Sequence, residues 1–389
     1  MSCPTWFVLV AAAGLTVWSG RPAHAVFQAS RKASVPLATE DRVKSAGWWP
    51  TQGRPSADEY AGSQVCGSCH GSKLETQQST PMARAAAKAG NAEVLKNHQH
   101  LFRSPGYSYE IASAGNGSIY AVSDGTSSIV QSLSWAFGLG VVGQTYIFEK
   151  EGIFYESRVS YYPAVEGLDL TLGHHPPLPN QLGNAPGRAI SSTETRLCFG
   201  CHTTASTTNN QFDLTHVVPG VGCEACHGPG AKHVAAMREG HIAQGVKLTL
   251  NPARLTPVDS VDFCGACHRT TWDVRLGDMA GIATVRFQPY RLEKSRCWGK
   301  GDARLTCISC HDPHLPLTQD EAAYDQRCLS CHLAKPGLKI TREHPGAACP
   351  VSTSKCVSCH MPKYELPGFH GKFTDHWIRI AKPGTAFPD

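Results

Sequence analysis

The clearest alternation of hydrophobic and polar positions lies between residues 105 and 165. The runs YSYEIAS, SIYAVSD, SIVQSLSWAF, QTYIFEK and GIFYESRVSYY are short and rich in β-branched and aromatic residues. Between them stand AGNGS, SDGTS and EKEGI, which carry the Gly, Asn and Asp that tight hairpins require. The pattern predicts a small antiparallel sheet, a β-rich subdomain spanning residues 105–190. Packing and shielding is its expected role, with a docking surface as the alternative.

The flanking segments read differently. MARAAAKAGNAEVLKN is rich in Ala, Lys and Glu and predicts a helix within residues 61–104. Residues 26–60 are polar and rich in Pro and Gly, a lead-in arm without periodicity. Residues 1–25 hold the apolar run WFVLVAAAGLTVW followed by PAHA, which predicts a cleaved signal peptide and a periplasmic product. The run is short for a membrane span. Over residues 191–389 no long helical or strand pattern is sustained. The predicted fold is therefore mostly irregular chain and short α-helices, with a small inserted antiparallel β-sheet. Such a segment has too few apolar side chains for its own core, so something large and apolar must fill it.

Composition says what that filler could be. The chain has 17 Cys and 19 His in 389 residues. The formal charge of +5 would suit acidic partners, but no Lys/Arg run with interleaved aromatics supports nucleic-acid binding. Fourteen cysteines fall into seven copies of C-x-x-C-H. They are Cys66/Cys69/His70, Cys198/Cys201/His202, Cys223/Cys226/His227, Cys264/Cys267/His268, Cys307/Cys310/His311, Cys328/Cys331/His332 and Cys356/Cys359/His360. One copy stands alone and six crowd together.

Zinc can use paired thiolates but has no need of a His directly after every pair. At this His content, seven such coincidences have odds of roughly one in a billion. A disulfide framework does not explain the His either. Covalent haem explains all three residues. The thiols add to the two vinyl groups, and the adjacent His becomes the proximal ligand. Seven haem c groups are expected, and these organise the short helices of residues 191–389 into a six-haem domain. With Arg21 lost in the signal peptide, their propionates and iron centres would turn the net charge to roughly −3 when ferric and −10 when ferrous.

Each iron has a sixth position. Three motifs run on as CHGPGAKH, CHDPH and CHMPKYELPGFH, where Pro ends the motif helix and sends the chain away. His233, His314 and His370 would then face a neighbouring haem. His376 and His344 are further distal candidates, and Met82 is a candidate for the lone first site. Cys297 and Cys349 remain: one disulfide between them is the simplest reading, with a sulfur ligand or free thiol open.

The phrases YAGSQVCGSCH, GVGCEACHGPGAKH, SRCWGKGDARLTCISCHDPH and CVSCHMPK with HGKFTDH resemble the multihaem c-type cytochromes related to cytochrome c-554. The resemblance covers about Tyr60 to Ile380 and implies periplasmic electron transfer, mostly bis-His haems and closely packed haem pairs. It also supports His314 and His376 as distal ligands. The seven motifs and the inserted sheet depart from the four-haem type, so haem number and partner do not carry over. No C-x-x-C-K variant is present, which weakens a nitrite-reductase reading. The expected partners are redox proteins or a quinol-linked membrane oxidoreductase, with no nucleic acid. The alternative is an oxidoreductase acting on a small nitrogen, sulfur or peroxide species at a five-coordinate haem.

Overall fold

The structure is a computed structural model that describes residues 55–96, 99–174, 178–209, 211–299, 305–332, 349, 351–382, 384 and 386–388. The signal region and most of the lead-in arm lie outside the described residues. Among those described, no helix is long and apolar enough to cross a membrane.

The predicted hairpins form, and the sheet is much larger than expected. Its strands are β1 (Ala86–Lys88), β2 (Gln99–Ser104), β3 (Tyr107–Ala114), β4 (Gly117–Ser123), β5 (Ser128–Phe137), β6 (Gln144–Lys150), β7 (Ile153–Tyr162), β8 (Gly167–Leu170) and β9 (Gly187–Ala189). β2 to β8 form one path in chain order, while β1 adds to β5 and β9 adds to β7. All pairings are antiparallel. The sheet curls until β2 lies beside β8. A mostly irregular and helical fold with a small inserted sheet is thus not what the chain adopts: a nine-stranded sheet is a principal element.

The reason for the difference is local. Gly115, Gly125 and Gly152 sit at positive φ in the three hairpins that the sequence predicts. The Ala-rich stretch has the composition of a helix, yet Ala86–Lys88 pairs with Trp135–Phe137 instead. GLDL and GRA carry little strand signal of their own and are recruited through β7. In each case cross-strand packing overrides weak intrinsic propensity.

The sheet has two different faces. Tyr109, Ile111, Tyr120, Val122, Leu133, Tyr146 and Phe148 pack on the inner face. A register shift between Leu133 and Trp135 turns Trp135 and Phe137 to the other face. There Phe199 meets both rings edge-on, at 5.1 Å from each. Phe199 belongs to the helix Ser192–His202, which ends in the second cysteine motif. The seam between sheet and motif region is therefore aromatic.

Candidate haem-binding sites

Each of the seven motifs lies on a helical turn. The thiols at i and i+3 then share one face, with the His one residue on. In the first motif His70 N–H donates to Cys66 C=O at 2.8 Å, and in the fifth His311 N–H donates to Cys307 C=O at 3.0 Å. Helices Ser192–His202 and Pro257–His268 are started by Ser191, which forms a capping box with Glu194, and by Thr256. They stop at the His. Arg269 after His268 has φ +67°, and Gly228 after His227 has φ +78°, so the chain leaves at once.

Sulfurs from different motifs meet. Cys66 lies close enough to Cys223 to share a proton, as do Cys201 with Cys267, Cys264 with Cys307, and Cys328 with Cys356. The bond from Cys66 draws the Cys223 thiol down to about 6. Cys226 lies near Cys267, and Cys310 lies near Cys331 and Cys328. In space the motifs run first, third, fourth, fifth, sixth, seventh, with the second set beside the fourth. Among the described residues no three His, Cys, Asp or Glu side chains converge as a metal-ion site.

Three of the fourteen candidate thiols stand outside this network: Cys69, Cys359 and the half-buried Cys198, whose sulfur neighbour is Cys201 of its own motif. Cys69 and Cys359 are exposed. Each is met by the hydroxyl of the residue before it, Ser68 at 3.9 Å and Ser358 at 3.8 Å, rather than by a sulfur of another motif. The physical reason is position in the spatial order. The first and seventh motifs end the run, so each has one neighbouring motif, and that neighbour meets Cys66 in the one and Cys356 in the other. The second sulfur is left facing out. Cys331 of the sixth motif is exposed as well, although it keeps Cys310 as a neighbour.

Two buried carboxylates clamp motif to motif, and sequence reasoning overlooked both. Glu224, inside the third motif and only 5% exposed, accepts backbone N–H bonds from Ala61 (2.7 Å), Gly62 (2.8 Å) and Gly230 (2.7 Å). This fixes the approach to the first motif against the third. Asp325 accepts from Lys355 (2.7 Å) and Cys356 (2.8 Å), fixing the sixth against the seventh. These bonds hold its carboxyl below the usual range, although burial opposes them.

The histidines pair across motifs in the same manner. His70 faces His233 with ring centres 6.5 Å apart, His227 faces His314 at 6.0 Å, and His311 faces His376 at 6.2 Å. With metal–imidazole bonds of about 2 Å and about 1.1 Å from nitrogen to ring centre, two rings sharing one ion sit roughly 6.3 Å apart. Many of these rings spend Nδ1 on an outer acceptor. Nδ1–H donates to a carbonyl from His227 (Leu250, 2.8 Å), His233 (Gly245, 2.9 Å), His376 (Thr374, 3.0 Å), His202 (Ala85, 3.1 Å) and His360 (Arg379, 3.1 Å). His314 Nδ1 lies 3.2 Å from Asp312 Oδ1. That arrangement leaves Nε2 for a metal. Burial pushes His376 down to about 4 and lowers His202, His268 and His311, which keeps the rings neutral as ligation requires.

His376 is held from behind. Asp375 is fully buried and pairs side-on with fully buried Arg291, at 2.8 Å to Nε and 3.0 Å to Nη2, while Arg379 adds a bond of 2.6 Å. Burial raises the Asp375 carboxyl, but the Arg291 bond and its companions outweigh that and lower it.

The other candidates fall elsewhere. His370 Nε2 is bonded to Asp169 at 2.6 Å, so that nitrogen is already committed. His100 and His174 likewise place Nε2 on Val94 C=O and Glu156. His233, rather than Met82, stands opposite His70; Met82 accepts N–H bonds from Ala85 and Val221 on its carbonyl. His344 lies outside the described residues, as do His98 and His175. His332 ends the helix Asp325–His332 at the surface. Cys297 and Cys349 are not bonded to each other; Cys297 lies near Cys310 and Cys328.

Haem fits this donor set. Arg286 Nε, Gln288 Oε1, Arg291 Nη1 and His311 Nδ1 are buried without a partner around the fourth and fifth motifs. Unpaired buried groups are costly, and a ligand carrying carboxylates would satisfy the guanidinium nitrogens.

Comparison with known proteins points the same way. Residues 181–228, which hold the second and third motifs, match the family described as cytochrome c554 and c-prime. The chain is 25% identical over 189 residues to the multiheme cytochrome MtrA of Shewanella baltica, covering 38% of this chain and 55% of that protein. It is 26% identical over 213 residues to the C-type polyheme cytochrome OmcB of Geobacter sulfurreducens, covering 46% and 26%. The chain thus spans about half the length of the first relative and a quarter of the second. The solved outer cell wall cytochrome OcwA shares 16% identity at a TM-score of 0.47, covering 82% of this chain and 80% of that one. The family match and the curated relatives, taken with the seven motif turns, support a multihaem c-type cytochrome that binds haem c covalently and transfers electrons.

Proposed function

We propose that the chain is an extracytoplasmic carrier of seven haem c groups, passing electrons between redox partner proteins. Haem c bound at these sites supplies reversible one-electron chemistry at each iron. The fourteen motif thiols anchor the seven groups, with Cys69 and Cys359 doing so at the solvent-facing edge of the two end sites. His70, His202, His227, His268, His311, His332 and His360 serve as proximal ligands. His233, His314 and His376 serve as distal ligands of the first, third and fifth sites. The observation that carries this reading is the set of three facing His pairs at 6.0–6.5 Å, each joining one motif to the His that trails another.

The electron path follows space rather than sequence. Sulfur contacts order the sites as first, third, fourth, fifth, sixth and seventh, and the second branches from the fourth toward the sheet. The Glu224 and Asp325 clamps hold the two outer pairs rigid, which limits reorganisation at each hop. Electron paramagnetic resonance of the oxidised holoprotein tests the ligand assignment. Low-spin signals at the first, third and fifth sites are expected. Conversion of one site to high spin in His314→Ala supports the trailing-His rule, and an unchanged spectrum contradicts it.

A further inference from the structure

Arg158 lies on the inner face of the sheet, away from every cysteine motif. It is 7% exposed, and its Nε and Nη2 are buried without a partner. The backbone around it is fixed: its N–H donates to Pro186 C=O at 2.9 Å, and its C=O accepts from Thr171 at 2.8 Å. The hydroxyl of fully buried Tyr109 and the Oγ of Ser104 are also without partners. Tyr109 lies against both Ser104 and Arg158, which interact weakly with its hydroxyl, but none of the three makes a well-formed hydrogen bond with another. Tyr120, the other phenol beside Arg158, is already committed to Pro186 C=O at 2.9 Å.

The molecule supplies its own reference. Arg291 is buried to a similar degree, and there the Nε/Nη2 edge receives both oxygens of Asp375. That edge is the side-on fork which pairs with two oxygens of one planar anion. In Arg158 the same edge faces no carboxylate among the described residues, and the Tyr109 hydroxyl is the polar group beside it. A guanidinium left so inside an aromatic core is expensive. What converges on the spot is two N–H donors, a phenol and a hydroxyl, with no carboxylate.

We infer that the inner face of the sheet holds a small planar oxyanion, of carboxylate or nitrate type, bound side-on to Arg158 and capped by Tyr109 and Ser104. The site is separate from the haem sites and independent of the electron-transfer reading. Its occupancy ties β2 and β3 to β7 and so stabilises the sheet.

The test uses the holoprotein. Acetate, nitrate and chloride are each titrated at constant ionic strength, and the melting of the sheet is followed by far-ultraviolet circular dichroism. A saturable rise in melting midpoint with acetate or nitrate, absent with chloride and abolished in Arg158→Met, is the expected result. Tyr109→Phe keeps the ring and removes the cap, and should weaken the apparent affinity about tenfold. Equal responses to all three anions, or the same saturation in the wild type and Tyr109→Phe, would overturn the site. Should Arg158→Met fail to fold, the wild-type and Tyr109→Phe titrations decide the matter in the same way.

Discussion

Inside the sheet, Tyr109, Tyr120, Ile111, Val122 and Phe148 bury one another and leave almost no apolar surface to water. In the motif region the buried apolar residues are scattered, with Val261, Phe263, Val274, Val285, Phe287 and Leu292 around the fourth motif, and beyond residue 305 Leu366 is the only buried one among those described. Polar groups are buried beside them: the Arg291–Asp375 pair and the backbone clamp of Asp325. The sheet carries its core in its side chains. The motif region has polar clamps, facing imidazoles and paired sulfurs arranged around space that haem c is suited to fill. Stability in the first region follows apolar area, and in the second it follows the cofactor.

The largest effect should come from preventing haem attachment. In a chain with the fourteen motif cysteines replaced by Ala, limited proteolysis should digest residues 191–389 while residues 86–189 stay resistant. Equal resistance of both regions would break the comparison. Next, Asp375→Ala removes one partner of a buried ion pair and should cost about 3–5 kcal/mol. Denaturant unfolding measures that cost, and the low-spin signal of the fifth site should weaken with it. The pH dependence follows from the same group. The folded Asp375 carboxyl lies below its ordinary value of 3.8. Its stabilisation is therefore fully present above that pH and is lost as pH falls through the lower, folded value. Asp375→Asn should flatten acid unfolding of the motif region in that window and leave the sheet unaffected.

Glu224→Ala strands three backbone N–H groups and should cost about 2–3 kcal/mol, with the first and third sites perturbed together. Reduction potentials measured by spectroelectrochemistry should move at those two sites before any other. At the small end, Cys349→Ser should change stability by less than about 0.5 kcal/mol, because Cys349 is exposed and in no disulfide. Thermal melting checks it, and a larger loss would restore a disulfide to Cys297.

How legible each region was follows from the same contrast. Hairpins around Gly115, Gly125 and Gly152 could be read because turn chemistry is local. The Ala-rich β1 and the short β8 and β9 could not, because β1 finds its partner some fifty residues away and the other two lean on β7 for their strand form. The seven motifs are plain in the sequence, and the Pro after CHGP and CHDP directs His233 and His314 away from their own site. Which iron each faces is a matter of packing around a cofactor, which no periodicity encodes. The exposure of Cys69 and Cys359 is equally silent in the sequence: they fit the motif as well as the half-buried thiols do, and only the spatial order makes theirs the end sites. His370 fits the same spacing rule as His233 and His314, but Asp169 on β8 claims its Nε2. The Glu224 and Asp325 clamps were hidden because a carboxylate inside or before a motif looks like any solvated acid until its backbone partners are known.

Intact-mass spectrometry of the holoprotein tests the central claim most directly. The account predicts a mass equal to the polypeptide plus seven haem groups, falling by one group in Cys66→Ala/Cys69→Ala. A folded product carrying fewer groups, or one whose mass is unchanged by that double substitution, would contradict it.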